Sequence, residues 1–214
     1  MLPVTLKPNV DRYYLQGIEG FFKAEVYVSR LSDGTQVVCK DYSRFRTNPI
    51  AAFVARHLVQ REYNVLAQLQ DWLYSPKVFN SEDSLVLLQE YVPGKTISEF
   101  KKLEPGVVHT VRKVLRQLHQ KGIIHNDVRA SNVIVKADNT VVLIDFTSAG
   151  SLPSFMGKVS RWLMHHDLRH AIKFKLKTEE NLTAREQRIL QKPKLLEWQQ
   201  NVWKQKILPF LKGG

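Results

Sequence analysis

With 214 residues, 43% hydrophobic and 24% charged, the chain has an ordinary globular composition and enough length for one domain or two small lobes. No apolar run reaches membrane-span length, the stretch from Met1 to Pro8 lacks the apolar block of a secretory signal, and the single cysteine, Cys39, excludes an internal disulfide; together these predict a cytoplasmic protein. The net charge of +12 is one-sided: residues 1–92 carry 10 Lys/Arg and 10 Asp/Glu, whereas residues 93–214 carry 22 against 10. Scattered lysines by default make a solvated face, but confinement to one half points to an anionic partner such as nucleic acid, a lipid surface or a phosphorylated substrate.

In chain order, Tyr13–Gly20 and Glu25–Arg30 are predicted strands. The turn between them carries Gly17 and Gly20, whose backbone amides could meet phosphate oxygens; an ordinary hairpin accounts for it equally well. Asp33-Gly34 signals a tight turn into a strand over Thr35–Lys40. A helix follows over roughly Ile50–Gln70, with apolar stripe Ala51, Val54, Leu58, Val65, Leu69 and one gap that Glu62 fills. A carboxylate on an inward face is expensive without a cation, and Lys40 is the candidate; otherwise Glu62 lies at the helix edge and reaches water. Leu85–Gln89 reads as a buried strand leading into Glu90-Tyr91-Val92-Pro93-Gly94, a chain reversal that predicts a boundary between 1–92 and 93–214.

The second half opens with a helix over Val107–Lys121 that Gly122 terminates. Next come the polar stretch His125–Asn132, the short run Val133–Val135, and a run Val141–Ile144 that delivers Asp145 and Phe146. Asp127, Asn132 and Asp145 thus stand at loop or strand-end positions beside short β-runs. Hard oxygen donors of this kind suit Mg²⁺, and Asp127 is then free to act as a base toward a hydroxyl. A polar turn between two buried strands is the plainer alternative. Adjacent His165 and His166 point to different faces of a helix, which argues against a shared metal, and Asp167 is placed to brace the polar loop. Ile172–Lys177 alternates apolar and basic residues, and Thr183-Ala184-Arg185-Glu186 has the capping-box pattern that begins a helix. Leu195–Leu211, with Trp198, Trp203, Lys204 and Lys206, reads first as a core-packing amphipathic segment and second as an interfacial one.

The pattern His125-Asn126-Asp127 with Asn132, followed by Asp145-Phe146-Thr147, resembles the His-x-Asp-x-x-x-x-Asn and Asp-Phe-Gly motifs of the protein-kinase-like superfamily. Val37-Val38-Cys39-Lys40 is similar to that superfamily's Val-Ala-Ile-Lys, and the resemblance covers about residues 13–146. It implies an α+β, bilobal fold: a small β-rich N-lobe with one main helix (1–92) and a truncated, mostly helical C-lobe (93–214). It also implies roles. Lys40 and Glu62 form the ion pair that aligns ATP, Gly17 and Gly20 occupy the place of the phosphate loop, and Glu90 and Val92 lie in the hinge whose backbone binds adenine. Asn132 and Asp145 hold Mg²⁺ (or Mn²⁺), Asp127 orients the acceptor hydroxyl, Arg129 points a cation at the transferring phosphate, and His125 is structural, packing near Phe146. Thr147 stands where the superfamily usually has Gly, so switching by rotation of that loop is not carried over.

There is no Ala-Pro-Glu motif, and the short tail and basic second half look like the minimal bacterial kinases. The stretch from Asp167-Leu168-Arg169 to Lys177, then Leu182-Thr183, is similar to the C-terminal pattern of the lipopolysaccharide core kinase group, which includes Kdo and heptose kinases; RIO-type small kinases stay open beside it. The expected activity is ATP-dependent phosphoryl transfer to a sugar hydroxyl of an anionic glycolipid, with peripheral contact at the inner membrane. A small protein Ser/Thr kinase is the alternative, and a pseudokinase or basic RNA-binding module the reading from another class. The complete set Lys40, Glu62, Asp127, Asn132, Asp145 argues against a pseudokinase, and the lack of a stacking-aromatic motif argues against RNA.

Overall fold

A computed structural model describes residues 13–16, 22–151 and 157–191. Gly17, Gly20 and the segment Leu195–Leu211 lie outside the described residues. The first part is an antiparallel sheet of strands β1 (Tyr13–Gln16), β2 (Glu25–Arg30), β3 (Gln36–Asp41), β4 (Val78–Phe79) and β5 (Val86–Glu90), in the order β1-β2-β3-β5-β4. Register places Lys40 opposite Val26 on one side and Leu87 on the other, and Val38 opposite Gln89. Residues two apart on a strand share a face, so Val38 and Lys40 project the same way, as do Leu87 and Gln89. The opposite face holds a small cluster of Tyr27, Leu31, Val37, Cys39, Val86 and Leu88.

Helix α1 (Pro49–Gln68) connects β3 to β4. Asn48 caps it by accepting from the Ala51 amide at 3.0 Å, and Pro49 occupies the first turn, where its missing N–H costs nothing. Its buried face is Ala52, Ala55, Val59, Glu62, Val65 and Leu66, turned by about one residue from the expected stripe over the first half of the helix, while Val65 and Leu69 are buried as expected. Val54 is 40% exposed, and Ile50 and Phe53 are exposed with it. The physical reason is close packing: alanines face inward over the first half of the helix, and the larger side chains are displaced to the outside. Glu62 keeps its inward position under either phase.

Beyond β5 the chain reverses through Gly94, at φ +152, where an added Cβ would stand 2.6 Å from Ile134 Cγ2 and 2.7 Å from the Val135 carbonyl oxygen. Only glycine fits that approach. Strand β6 (Lys95–Thr96) follows, then α2 (Pro105–Gln120), β7 (Ile123–Ile124), β8 (Val133–Val135), β9 (Val141–Leu143), β10 (Gly150–Ser151), α3 (Gly157–Lys173) and α4 (Ala184–Gln191). β6, β8 and β9 form one small antiparallel sheet, and β7 pairs with β10. Helix α2 buries Val107, Val108, Val111, Val114, Leu115 and Leu118, and Gly122, in the left-handed region at φ +73, follows its end.

One hydrophobic core runs from Tyr42, Ala55, Val59 and Leu66 through the buried face of α2 to Phe146, Ala171 and Phe174. It therefore joins the large sheet and α1 to the helices of the second half. The alternating run Ile172–Lys177 is the end of α3 plus one tight turn over Phe174–Lys177. Two of its three lysines are spent internally: Lys175 Nζ lies 3.1 Å from Glu186 Oε2, and Lys177 Nζ donates to the carbonyls of Ile97 and Phe100, each at 2.9 Å, whereas Lys173 is exposed. The capping box before α4 is formed in both directions, Glu186 N to Thr183 Oγ1 and Thr183 N to Glu186 Oε2.

Candidate active site

Lys40 leaves β3 on the face that α1 covers, and Glu62 comes down from α1 to meet it. Their atoms Nζ and Oε1 are 2.6 Å apart, with the Glu62 side chain 2% and the Lys40 side chain 9% exposed. The same ammonium lies 2.9 Å from Asp145 Oδ1, 105 residues further along the chain. Burial by itself would push the Lys40 ammonium down, but the facing carboxylates of Glu62 and Asp145 overcome it and hold the group above its ordinary value. Burial would likewise raise Asp145; the Lys40 charge and hydrogen bond reverse that and keep its carboxyl well below the usual range. Lys40 and Asp145 are thus both charged at neutral pH. Glu62 also accepts from the Phe146 amide at 3.0 Å and from Thr147 Oγ1 at 2.8 Å, so both its oxygens are committed.

The polar loop between β7 and β8 is held from behind by Asp167 of α3, which is 1% exposed. Asp167 accepts from the His125 and Asn126 amides at 2.9 and 2.8 Å and pairs with His119 Nε2 at 3.0 Å. Those hydrogen bonds outweigh its burial and keep its carboxyl below the ordinary range. The braced loop tolerates Asn126 at φ +63, an uncommon value for a residue other than glycine. His125 is buried against Phe146, ring centroids 4.8 Å apart, and its Nε2 lies 3.1 Å from the Ile144 carbonyl oxygen. A carbonyl can only accept, so Nε2 carries the proton. Burial holds His125 below its ordinary value, and a neutral His125 serves as a spacer.

At the front of the loop, Asn132 Nδ2 donates to the Asp127 carbonyl at 3.0 Å and to Asp127 Oδ2 at 3.1 Å. The Ile144 amide donates to the Asn132 carbonyl at 3.0 Å, which ties the end of β9 to the loop and brings Asp145 beside it. Asp145 itself sits at φ +64. Arg129 Nη2 lies 2.6 Å from Asp127 Oδ2, so the guanidinium is paired with the carboxylate it follows by two residues.

These groups face one cavity of about 670 Å³. Lys40, Asp127, Arg129, Asn132 and Asp145 line it, together with Glu90 and Val92 of the chain reversal. Glu62 stands outside the lining, in contact with Lys40. The volume lies within the range of sites that enclose a small-molecule ligand. Gln89 also lines it, and its buried Oε1 has no hydrogen-bond partner, an acceptor of the sort a bound molecule satisfies. Asp145 keeps its side chain 36% exposed at the cavity, so its carboxylate is open to a hard, oxygen-ligated cation such as Mg²⁺.

Several contributors escaped sequence reasoning. Thr147 bridges Glu62 and Asp145, and Arg61 of α1 donates to the Ala149 carbonyl from Nε and Nη2 at 3.0 and 2.8 Å. Gln89 left a signal, a polar residue inside a buried apolar strand. Arg61 left none.

A family model for the ABC1 atypical kinase-like domain matches residues 58–172, a span that includes Glu62, Asp127, Asn132, Asp145 and Asp167. Serine/threonine-protein kinase D of Synechocystis sp. is 32% identical over 114 residues, which is 48% of this chain and 22% of that protein. Serine/threonine-protein kinase ppk34 of Schizosaccharomyces pombe is 32% identical over 111 residues, 45% of this chain and 31% of that protein. The chain thus spans less than a third of the length of these two curated relatives. The crystal structure of the Rio2 kinase–ADP/Mg²⁺–phosphoaspartate complex from Chaetomium thermophilum aligns with a TM-score of 0.60 at 12% identity, over 83% of this chain and 60% of that one. The architecture is therefore the α+β protein-kinase-like fold, with a small sheet at the N-terminal end. Because the family match extends over more than half of the sequence, the chain belongs to the ABC1 atypical kinase-like family, within the protein-kinase-like superfamily.

Proposed function

We propose that the protein is a kinase that transfers the γ-phosphate of ATP to a hydroxyl, using the cavity between two lobes that meet near residues 92 and 93. The observation that supports this best is Lys40 Nζ, held at 2.6 Å from Glu62 and 2.9 Å from Asp145 at the wall of a cavity that Asp127 and Asn132 also line. Lys40, fixed by Glu62, aligns the phosphates, and the hinge backbone at Glu90 and Val92 receives adenine. Asn132 and Asp145 are the residues that would hold Mg²⁺ (or Mn²⁺), which when bound neutralises phosphate charge. Asp127 orients the acceptor hydroxyl and accepts its proton. Arg129, paired with Asp127 and lining the same cavity, would turn its cation toward the transferring phosphate.

Incubating the purified protein with Mg²⁺ and γ-labelled ATP should move label to an acceptor, and Asp127→Ala should lower the rate by about a hundredfold or more. An Asp127→Ala protein as active as wild type would remove the assigned base.

For the acceptor, the Ser/Thr-kinase names of relatives at about one-third identity support a protein hydroxyl. A second reading, a sugar of an anionic glycolipid at the inner membrane face, is supported by the confinement of excess charge to residues 93–214. The internal use of Lys175 and Lys177 weakens it. No described helix is long and apolar enough to cross a membrane, so contact in that reading would be peripheral. Offering the enzyme cell protein and lipopolysaccharide core glycolipid separately decides: label in protein upholds the first reading, and label in glycolipid alone overturns it.

A further inference from the structure

Thr147 occupies the third position of the Asp145-Phe146-Thr147 turn, where a glycine would place no side chain at all. Its Oγ1 lies 2.7 Å from Asp145 Oδ1, 2.8 Å from Glu62 Oε2 and 3.4 Å from Lys40 Nζ. A hydroxyl has one hydrogen and two lone pairs. It donates to one of the two carboxylates at a time while accepting from the ammonium, and it thereby closes a ring of Lys40, Glu62, Thr147 and Asp145. Two further contacts act in the same place. The Phe146 amide donates to Glu62 Oε1, and Arg61, the residue before Glu62, donates to the Ser148 and Ala149 carbonyls. Helix α1 and the turn after Asp145 are therefore fastened to each other by four consecutive residues of the turn and two of the helix.

We infer that Thr147 is a positioning residue: its hydroxyl fixes the Asp145 carboxylate against α1, so that the site is assembled before nucleotide and metal arrive. This deepens the phosphoryl-transfer reading and rests on it for the reaction, though the fastening itself is a property of the free protein. Without the hydroxyl, Asp145 Oδ1 and Glu62 Oε2 lose the one hydrogen they share. The turn, with Asp145 at an uncommon positive φ, is then left to its remaining contacts.

The test compares Thr147→Val, which keeps the branched shape without the hydroxyl, Thr147→Ser, which keeps the hydroxyl, and Thr147→Gly. Two readouts are followed besides turnover: amide hydrogen exchange of the segment 144–149 in the free protein, and calorimetric binding of ADP with Mg²⁺. The valine and glycine variants should exchange faster there and bind Mg²⁺–ADP about tenfold more weakly, the scale of one hydrogen bond to a charged group. The serine variant should restore both. A valine variant that matches wild type in exchange and binding overturns the inference, as does a serine variant that behaves like valine. Should the valine variant not fold, serine against glycine carries the same comparison. Wild-type protein without phosphotransfer overturns the activity instead, and exchange and binding still judge Thr147.

Discussion

At the scale of single residues, the arrangement is governed by the cost of charge away from water. Two carboxylates, Glu62 and Asp145, share one ammonium, and removing the cation leaves them facing each other with no counter-charge. Breaking a buried pair from one side costs about 3–5 kcal/mol, because the orphaned charge stays desolvated. Lys40→Met should therefore lower stability by about that amount and abolish phosphate transfer. Glu62→Gln, which leaves Lys40 its contact with Asp145 and offers the Phe146 amide a neutral acceptor, should be the milder change. Urea unfolding of both variants checks the order, and a Lys40→Met protein as stable as wild type would refute the shared-ammonium account. The Lys40–Glu62 contact was legible in the sequence, since a carboxylate on an apolar helix face demands a cation. The Thr147 hydroxyl was not. Besides the nearby Asp145, its partners come from a strand 107 residues earlier and a helix 85 residues earlier, and no local pattern points a hydroxyl at them.

At the scale of elements, Asp167 shows how a helix of the second half fixes a loop some 40 residues earlier. One carboxylate receives two consecutive backbone amides and a histidine, so the tip of the loop is held without any regular structure of its own. Asp167→Asn puts one acceptor oxygen and one amide group where two acceptors are needed, and sets an N–H against a buried N–H. A buried donor left unsatisfied costs about 1–3 kcal/mol, so the variant should lose about that stability and lose activity as the loop loosens. Denaturant unfolding together with turnover measures both, and an unchanged rate would detach the brace from the chemistry. Turn and capping signals such as Asp33-Gly34, Gly122 and Thr183–Glu186 made most elements readable, because each is a local bargain between side chain and backbone. Toward the end of α1, Glu62, Val65 and Leu69 are buried as expected, whereas over its first half the phase was misread by one residue because large apolar side chains were assumed to face inward. Packing against the sheet favours alanine there, and only the facing surface reveals that.

At the scale of the whole molecule, a single core spans the sheet and the helices behind the loop, so groups far from the cavity bear on the stability of all of it. His170 of α3 is the clearest of these. Burial, then the neighbouring His166 and Lys173, push it down to about 4, with Asp167 opposing. In the unfolded chain a histidine takes up its proton as pH falls through about 6.5, whereas folded His170 stays neutral until about pH 4. Between those values the unfolded state binds more protons, so stability must fall as the solution is acidified. His125, held low by its burial, acts in the same direction. Asp167 adds a later loss: its depressed carboxyl stabilises the fold above the ordinary carboxylate range, and that contribution disappears as pH falls below about 4. The expected profile is level above about pH 7, declining from about 6.5, and steeper below about 4. Replacing His170 with glutamine, which cannot take a proton, should flatten the upper limb while leaving the lower one in place. Urea midpoints measured across that range test the assignment: a wild-type protein that gains stability between about pH 7 and about pH 5, or a glutamine variant with the wild-type slope, would show that His170 does not carry it.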